Sequence, residues 1–289
     1  MKYFPDSELV INSDGSAFHL HLKPEHLADK VILVGDRKRV NIVAAHFDTI
    51  ENEVENREFH TITGSCKNKR ITCLSHGIGC GNIDITVNEL DALANINFKT
   101  RTELPEHRTL TMVRIGTCGA LHPETTIGSH IVSVKSIGFD GVLNYYAARN
   151  SVCDLDLENA FVKHMNWNPI KGAPYVSISD SDLVERIATT DMVRGITVSC
   201  GGFYGPQGRQ IRMETEDPRQ NEKLETFRYD NLKIANFEME SSALSGLSSI
   251  LGHKAVTCCL VLANRHIKAM TTDYATMMDK LIVKVIDRI

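Results

Sequence analysis

Short apolar runs alternate with stretches of helical periodicity along most of the chain. Val31 to Val34 is a β-branched run closing on Gly35-Asp36, and Val40, Ile42, Val43 and Ala44 then mark a helix, giving strand, tight turn, helix. Glu58 to Thr63 and Arg70 to Ser75 read as two strands across the polar turn Lys67-Asn68-Lys69. Gly77-Ile78-Gly79-Cys80-Gly81 leads into a helix carrying Ile83, Val87, Leu90, Leu93 and Ala94. Leu110 to Ile115 reads as a strand closing on a glycine turn, Gly116-Thr117-Cys118-Gly119, and Ile131 to Val134, Val198 to Phe203 and Ala255 to Ala263 read as further strands. Lys233 to Phe237 is a short strand, after which Met239, Ala243, Leu244, Leu247, Ile250 and Leu251 recur at helical spacing until Gly252-His253. Helices are also expected at Asp154 to His164, Ser181 to Ala188, Asn221 to Phe227 and Thr272 to Asp287. This alternation predicts a single α/β domain over residues 1–289, with a mixed, largely parallel central sheet flanked by helices. Residues 1–17 form an expected N-terminal arm, and the polar segment Gly205 to Lys223 an expected mobile flap within the domain.

Composition narrows the class. The 289 residues are 42% hydrophobic and 24% charged, with no linker-like stretch, as expected for one globular unit with a sizeable core. A net charge of -4, with basic residues scattered among acidic ones, argues against nucleic acid as a partner while leaving room for small anions. The longest apolar run, Ala255 to Ala263, is too short to span a bilayer, and no signal pattern is visible, so a cytoplasmic protein with no membrane partner is expected. Eight cysteines without a C-x-x-C pair read as small buried hydrophobes, and twelve histidines show no zinc-site spacing, so no metal is expected.

Three constellations carry candidate chemistry. Glu238 and Glu240 flank Met239 where a strand gives way to a helix, and both are expected at the helix start. They are either complements to the helix dipole or, at a strand's carboxyl end, acceptors for vicinal hydroxyls such as those of a ribose. Arg114 lies inside an apolar strand just before Gly116-Thr117, and Arg37-Lys38-Arg39 opens a helix. A guanidinium there needs an anion, which can be a structural carboxylate or a bound phosphate. No P-loop or dinucleotide spacing is present, which favours phosphate without a nucleotide tail. Phe203-Tyr204-Gly205-Pro206-Gln207-Gly208-Arg209 places an aromatic ring, an amide and a guanidinium on one turn. Such a turn can stack on a planar base and address its edge, or can simply be solvated.

Seven motifs together, Gly35-Asp36-x-x-Arg39, Arg57-Glu58-Phe59, Ser75-His76-Gly77-Ile78-Gly79, Arg114-Ile115-Gly116-Thr117, Phe203-Tyr204-x-x-Gln207-x-Arg209, Phe237-Glu238-Met239-Glu240-Ser241 and Asn264-Arg265, closely resemble the uridine phosphorylases of the nucleoside phosphorylase superfamily. The match runs from about Phe18 to Arg265, in the family's order. The resemblance implies phosphorolysis of uridine to uracil and ribose 1-phosphate, with inorganic phosphate as co-substrate and no cofactor. It implies phosphate contacts from Gly35, Arg39, Arg114 and Thr117, with Arg57 from a neighbouring subunit. Ribose contacts fall to Glu240, Met239 and the neighbour's His19, and base contacts to Phe203, Gln207, Arg209 and Arg265; Arg114, Arg209 and Glu240 are the expected catalytic set. A homo-oligomer is implied, a dimer favoured over a hexamer, with a monovalent cation near Glu58 at the interface left open. The alternatives are a purine nucleoside or methylthioadenosine phosphorylase, a hydrolytic nucleosidase, or a non-catalytic nucleoside-binding protein. The aspartate that the purine branch carries has no counterpart in Leu262-Ala263-Asn264-Arg265. The chain departs from the family at Arg37, where proline is usual, and at Ala120, where a second glycine is usual and a negative φ is therefore required. His76 replaces the threonine of many bacterial relatives.

Overall fold

The computed structural model describes residues 2–289. In chain order its elements are β1 (Lys30–Val34), α1 (Arg37–Ala44), β2 (Thr49–Asn56), β3 (Phe59–Cys66), β4 (Lys69–Ser75), α2 (Cys80–Asn95), β5 (Ile96–Asn97), β6 (Thr102–Glu103), β7 (Thr111–Ala120), β8 (His130–Gly138) and α3 (Arg149–Val152). There follow α4 (Leu155–Met165), β9 (Tyr175–Ile178), α5 (Ser181–Ile187), β10 (Val193–Ser199), α6 (Gln220–Thr226), β11 (Arg228–Tyr229), β12 (Leu232–Glu238), α7 (Ser241–Ile250), β13 (Lys254–Asn264), β14 (Ala269–Met270) and α8 (Ala275–Arg288).

The main sheet runs β11-β12-β10-β8-β13-β7-β1-β4-β3-β2. Its centre is parallel, with β1 between β4 and β7 and β13 beside β7, whereas the β2-β3-β4 margin is an antiparallel meander. Alternation along β1 sends Ile32 and Val34 to one core with α1, α5 and α8, and Val31 and Leu33 to another with α2 and α7. The helices therefore cover both faces, as expected. The sheet also closes on itself, because β12 pairs antiparallel with the far end of β7 at Asn236–Ala120 and Phe237–Gly119. A register shift in β13 between Val261 and Ala263 accompanies this curl.

Three local expectations are corrected. Gly116-Thr117-Cys118-Gly119 is no turn: β7 runs through to Ala120 in extended conformation, so neither glycine there is needed for a left-handed backbone. The strand expected at Val198 to Phe203 ends at Ser199. Glu238 is the last residue of β12 and Glu240 the N-cap of α7, so the pair straddles the junction instead of opening the helix. Ala120 sits in extended strand without a positive φ, and its Cβ is accommodated. The margin strand β2 escapes sequence reading because its mostly exposed residues show no apolar face. The 205–223 segment carries a single 3-10 turn, Gly205–Gln207, and the first turn of α6.

Candidate active site

The carboxyl ends of β1, β7, β10, β12 and β13 open into one cavity of about 1090 Å³, the place where α/β sheets put their ligands. Gly35, Arg39, Arg114, Thr117, Phe203, Gln207, Arg209, Met239 and Glu240 all line it. Residues 200 positions apart in sequence meet because each follows a strand of the same sheet.

One end is cationic. Asp36 caps α1 by accepting from the Lys38 N–H at 2.9 Å, which directs the first turn of α1 toward the cavity. Arg39, from that turn, is buried and donates from Nη1 to the Ile115 carbonyl at 3.3 Å; burial pulls its pKa below the usual guanidinium range. Arg37 also lines the cavity, but Glu55 pairs with it, so it adds little free charge. Gly116 is required for space: a Cβ there would lie 2.5 Å from Arg114 Nη1.

Arg114 occupies the middle. It is 4% exposed and held by two carboxylates, Glu238 Oε2 at 3.0 Å from Nη1 and Glu240 Oε2 against Nη2. Burial alone would lower its pKa, but Glu240 and Glu238 carry it above its ordinary range, so it stays charged. The two glutamates differ in what they have left to offer. Glu238 accepts from Ser241 Oγ (2.6 Å), from the Glu240 and Ser241 N–H groups (both 2.9 Å) and from Arg114, which saturates it as an anchor between strand and helix. Arg114 is thus the charged partner of Glu238. Among the described residues, Glu240 accepts from Gly79 N–H at 2.7 Å and from Arg114, and so keeps lone pairs for a ligand. Burial raises its carboxyl above the ordinary range in spite of the pull of Arg114.

The opposite end carries the aromatic turn. Phe203 is half exposed to the cavity, and the Arg209 guanidinium lies 3.8 Å from its ring centroid while donating to the Phe203 carbonyl at 2.6 Å. Gln207 is buried, its Oε1 accepting from Arg209, which leaves the amide NH₂ as its free function. Burial, with Arg265 nearby, pushes the Arg209 pKa down to about 10. Arg265 lies behind the cavity, packed on Gly119, with Nη1 buried and without a hydrogen-bond partner among the described residues. Asn264 is spent structurally: it donates to the His122 and Thr125 carbonyls and accepts from the His266 and Ile267 N–H groups.

His19 and Arg57 do not reach the cavity of their own chain. His19 is tied to Glu89, 2.6 Å from Nδ1, and lines a separate hollow of about 820 Å³. Arg57 sits at the β2–β3 turn with φ +54°, its guanidinium 5.8 Å from the Phe18 ring centroid. Asn56, next to Arg57, donates to the His19 carbonyl at 2.8 Å, which brings half-buried His19 and exposed Arg57 to one edge of the molecule. Sequence reasoning missed Glu55 and His60 on the rim, which come from the uninformative β2 and its neighbour, and the exposed Ile78 beside Gly77.

Among the described residues, two groups of side chains have the proximity of metal ligands. In Asp91, His107 and His253, His253 Nδ1 accepts from Leu110 N–H at 3.1 Å, so Nε2 carries the proton that Asp91 accepts, which suits a structural relay better than a ligand. In Glu53, Glu55 and His60, the His60 Nε2 is 2.9 Å from Glu53, and Arg37 already pairs with Glu55. No described helix is long and apolar enough to cross a membrane.

The comparisons with known proteins converge on the same site-bearing fold. The Phosphorylase superfamily model matches residues 29–287. The chain is 30% identical over 257 residues to a uridine phosphorylase of Haemophilus influenzae, covering 86% of each, and 28% identical over 268 residues to one of Thermococcus kodakarensis, covering 91% of this chain and 82% of that protein. A Trypanosoma brucei nucleoside phosphorylase, described as showing uridine phosphorylase activity, superposes with a TM-score of 0.86 at 27% identity, over 96% of this chain and 98% of that one. With nearly its whole length matched, and with its cations, carboxylates and aromatic turn gathered at the strand ends, this chain belongs to the phosphorylase superfamily.

Proposed function

We propose that the protein catalyses the reversible phosphorolysis of uridine to uracil and ribose 1-phosphate, a pentosyl transfer of pyrimidine salvage. The observation that carries this reading is the cavity's polarity: carboxylate and Arg114 at the centre, Arg39 and Thr117 at one end, and at the other an aromatic ring, an amide and Arg209. Phosphate, held by the Gly35 backbone, Arg39, Arg114 and Thr117, attacks C1' of the ribose as the bond from C1' to N1 breaks. The bonding pair leaves with the uracil, and the proton lost as the sugar phosphate ionises ends on N1. Glu240, with the Met239 backbone, orients the ribose hydroxyls; Phe203 stacks on the base once Arg209 moves off its face. The Gln207 NH₂ and Arg209 then stabilise the departing uracil anion, supported by Arg265.

A purine leaving group profits from an acid near N7. Arg265 and the fully engaged Asn264 occupy the loop where the purine branch carries one, which favours the pyrimidine substrate. The edge shared by half-buried His19 and exposed Arg57, neither of which reaches its own chain's cavity, supports a homodimer in which each completes the partner's site; the same reading makes the protein a cytoplasmic enzyme that uses inorganic phosphate and no organic cofactor or metal. A monovalent cation near Glu58 at the subunit interface is compatible with this arrangement. The test is to incubate the protein with uridine, thymidine and inosine, each with and without phosphate, and follow the free base. Phosphate-dependent release of uracil from uridine is expected. Release without phosphate, or preferential release of hypoxanthine, would overturn the reading.

A further inference from the structure

His76 follows β4 directly, opening the loop to α2, and its backbone N–H donates to Val34 O at 2.9 Å. Its ring is fully buried behind the phosphate end and does not line the cavity. It sits between Arg39 and Arg114; burial and these two cations push its pKa well below the ordinary range, so the ring stays neutral. A neutral imidazole has one donor and one acceptor nitrogen. Nε2 accepts from Arg114 Nε at 3.2 Å, which places the proton on Nδ1, and Nδ1 approaches the Gly77 backbone without completing a hydrogen bond there.

A guanidinium has five N–H groups in a fixed plane. Glu238 and Glu240 each take one Nη proton of Arg114, and Nη1 lies 3.8 Å from Cys259 Sγ, a weak acceptor, so every one of these contacts is at the Nη end and leaves the plane free to tilt about it. A contact at Nε, from His76 Nε2, sets the plane and with it the direction of the Nη protons left over. The carboxylates cannot supply that contact, since Glu238 is saturated and Glu240, already on Nη2, has its spare lone pairs committed to the ribose. A cationic imidazole there would repel Arg114, so neutrality is a requirement of the arrangement.

We propose that His76 is a positioning residue for phosphate: its Nε2 fixes the Arg114 guanidinium plane so that an Nη proton points at the phosphate oxygen. The proposal rests on the phosphorolytic reading of the site. It predicts a specific rank order. Glutamine can present an amide oxygen at the depth of Nε2, whereas asparagine reaches only the depth of Nδ1 and leucine offers no acceptor.

The experiment measures kcat and the separate KM values for phosphate and uridine in wild type, H76Q, H76N and H76L, with inorganic phosphate titrated into each protein calorimetrically. H76L and H76N are expected to lose about tenfold or more in kcat/KM for phosphate, as for a lost hydrogen bond to a charged group, with calorimetric affinity for phosphate falling in parallel and H76Q recovering most of the loss. Equal kcat/KM for phosphate in H76Q and H76N, or a loss confined to thermal stability with phosphate KM unchanged, would show a packing role and overturn the proposal. If H76L does not fold, the H76Q and H76N pair decides. A wild type without phosphate-dependent turnover would instead refute the phosphorolytic reading, so the two failures are distinguishable.

Discussion

Replacing Glu240 by glutamine separates a ribose clamp from a helix-capping charge. An exposed carboxylate at a helix start contributes about 0.3–1 kcal/mol, so its loss would change turnover by less than about fivefold. Glu240 is buried at the α7 N-cap, accepts from Gly79 N–H and Arg114, and is the only carboxylate of the pair with lone pairs to spare. Glutamine keeps one acceptor oxygen and turns an NH₂ toward either Arg114 or the sugar. One charge-assisted hydrogen bond to the ribose is lost, about 1.5–3 kcal/mol, and the charge balance of Arg114 is disturbed as well. E240Q is therefore expected to lower kcat/KM by about a hundredfold or more, read from uracil release with saturating phosphate. The same assay with 2'-deoxyuridine completes a cycle, in which the wild-type preference for uridine should shrink in E240Q. A loss below about fivefold, or an undiminished preference for the 2'-hydroxyl, would refute the clamp.

The pH dependence follows from the same carboxyl. Its pKa is raised above the ordinary 4.5, burial being the largest cause, so the acid limb of kcat/KM should lie above pH 4.5 and disappear in E240Q. For stability the sign runs the other way: a raised pKa contributes stability below 4.5 that is lost as pH climbs through the folded-state value, and E240Q should flatten that part of the stability profile. Arg209→Ala should lower kcat by roughly a hundredfold, as for a lost oxyanion donor, and an effect on KM alone would exclude a leaving-group role. Gly116→Ala would drive a Cβ to 2.5 Å from Arg114 Nη1. It should weaken phosphate binding and cost about 1–3 kcal/mol of stability in a denaturant titration; wild-type values for both would show that Arg114 can relax freely. Mixing inactive R57A and E240Q proteins under exchange conditions should restore about a quarter of wild-type activity, as expected for one intact site per mixed two-fold dimer. No recovery would place Arg57 outside the partner's site.

The period-2 and period-3.6 patterns were enough for most elements, because β1, β4, β13, α2 and α8 bury faces whose residues are contiguous or regularly spaced in the chain. The polar margin strand β2 has no such face. At Gly116 and Gly119 the sequence marks only positions without a side chain, while in the fold Gly116 clears space for a guanidinium in an extended strand.

What the chain order alone determined is the chemical inventory of the site: the arginines, the glutamate pair, the aromatic turn, and the absence of an acid near Arg265. Division of labour came only with the tertiary structure. Glu238 and Glu240 are two residues apart, chemically identical and both on the cavity wall, yet one is saturated by Arg114 and the first turn of α7 while the other keeps lone pairs for a ligand. Whether Arg114 meets a structural carboxylate or a ligand likewise depends on β12 pairing with β7, and its contact with His76 depends on the loop after β4 reaching across β1. These are long-range contacts, and no local periodicity encodes which lone pair remains free once they form.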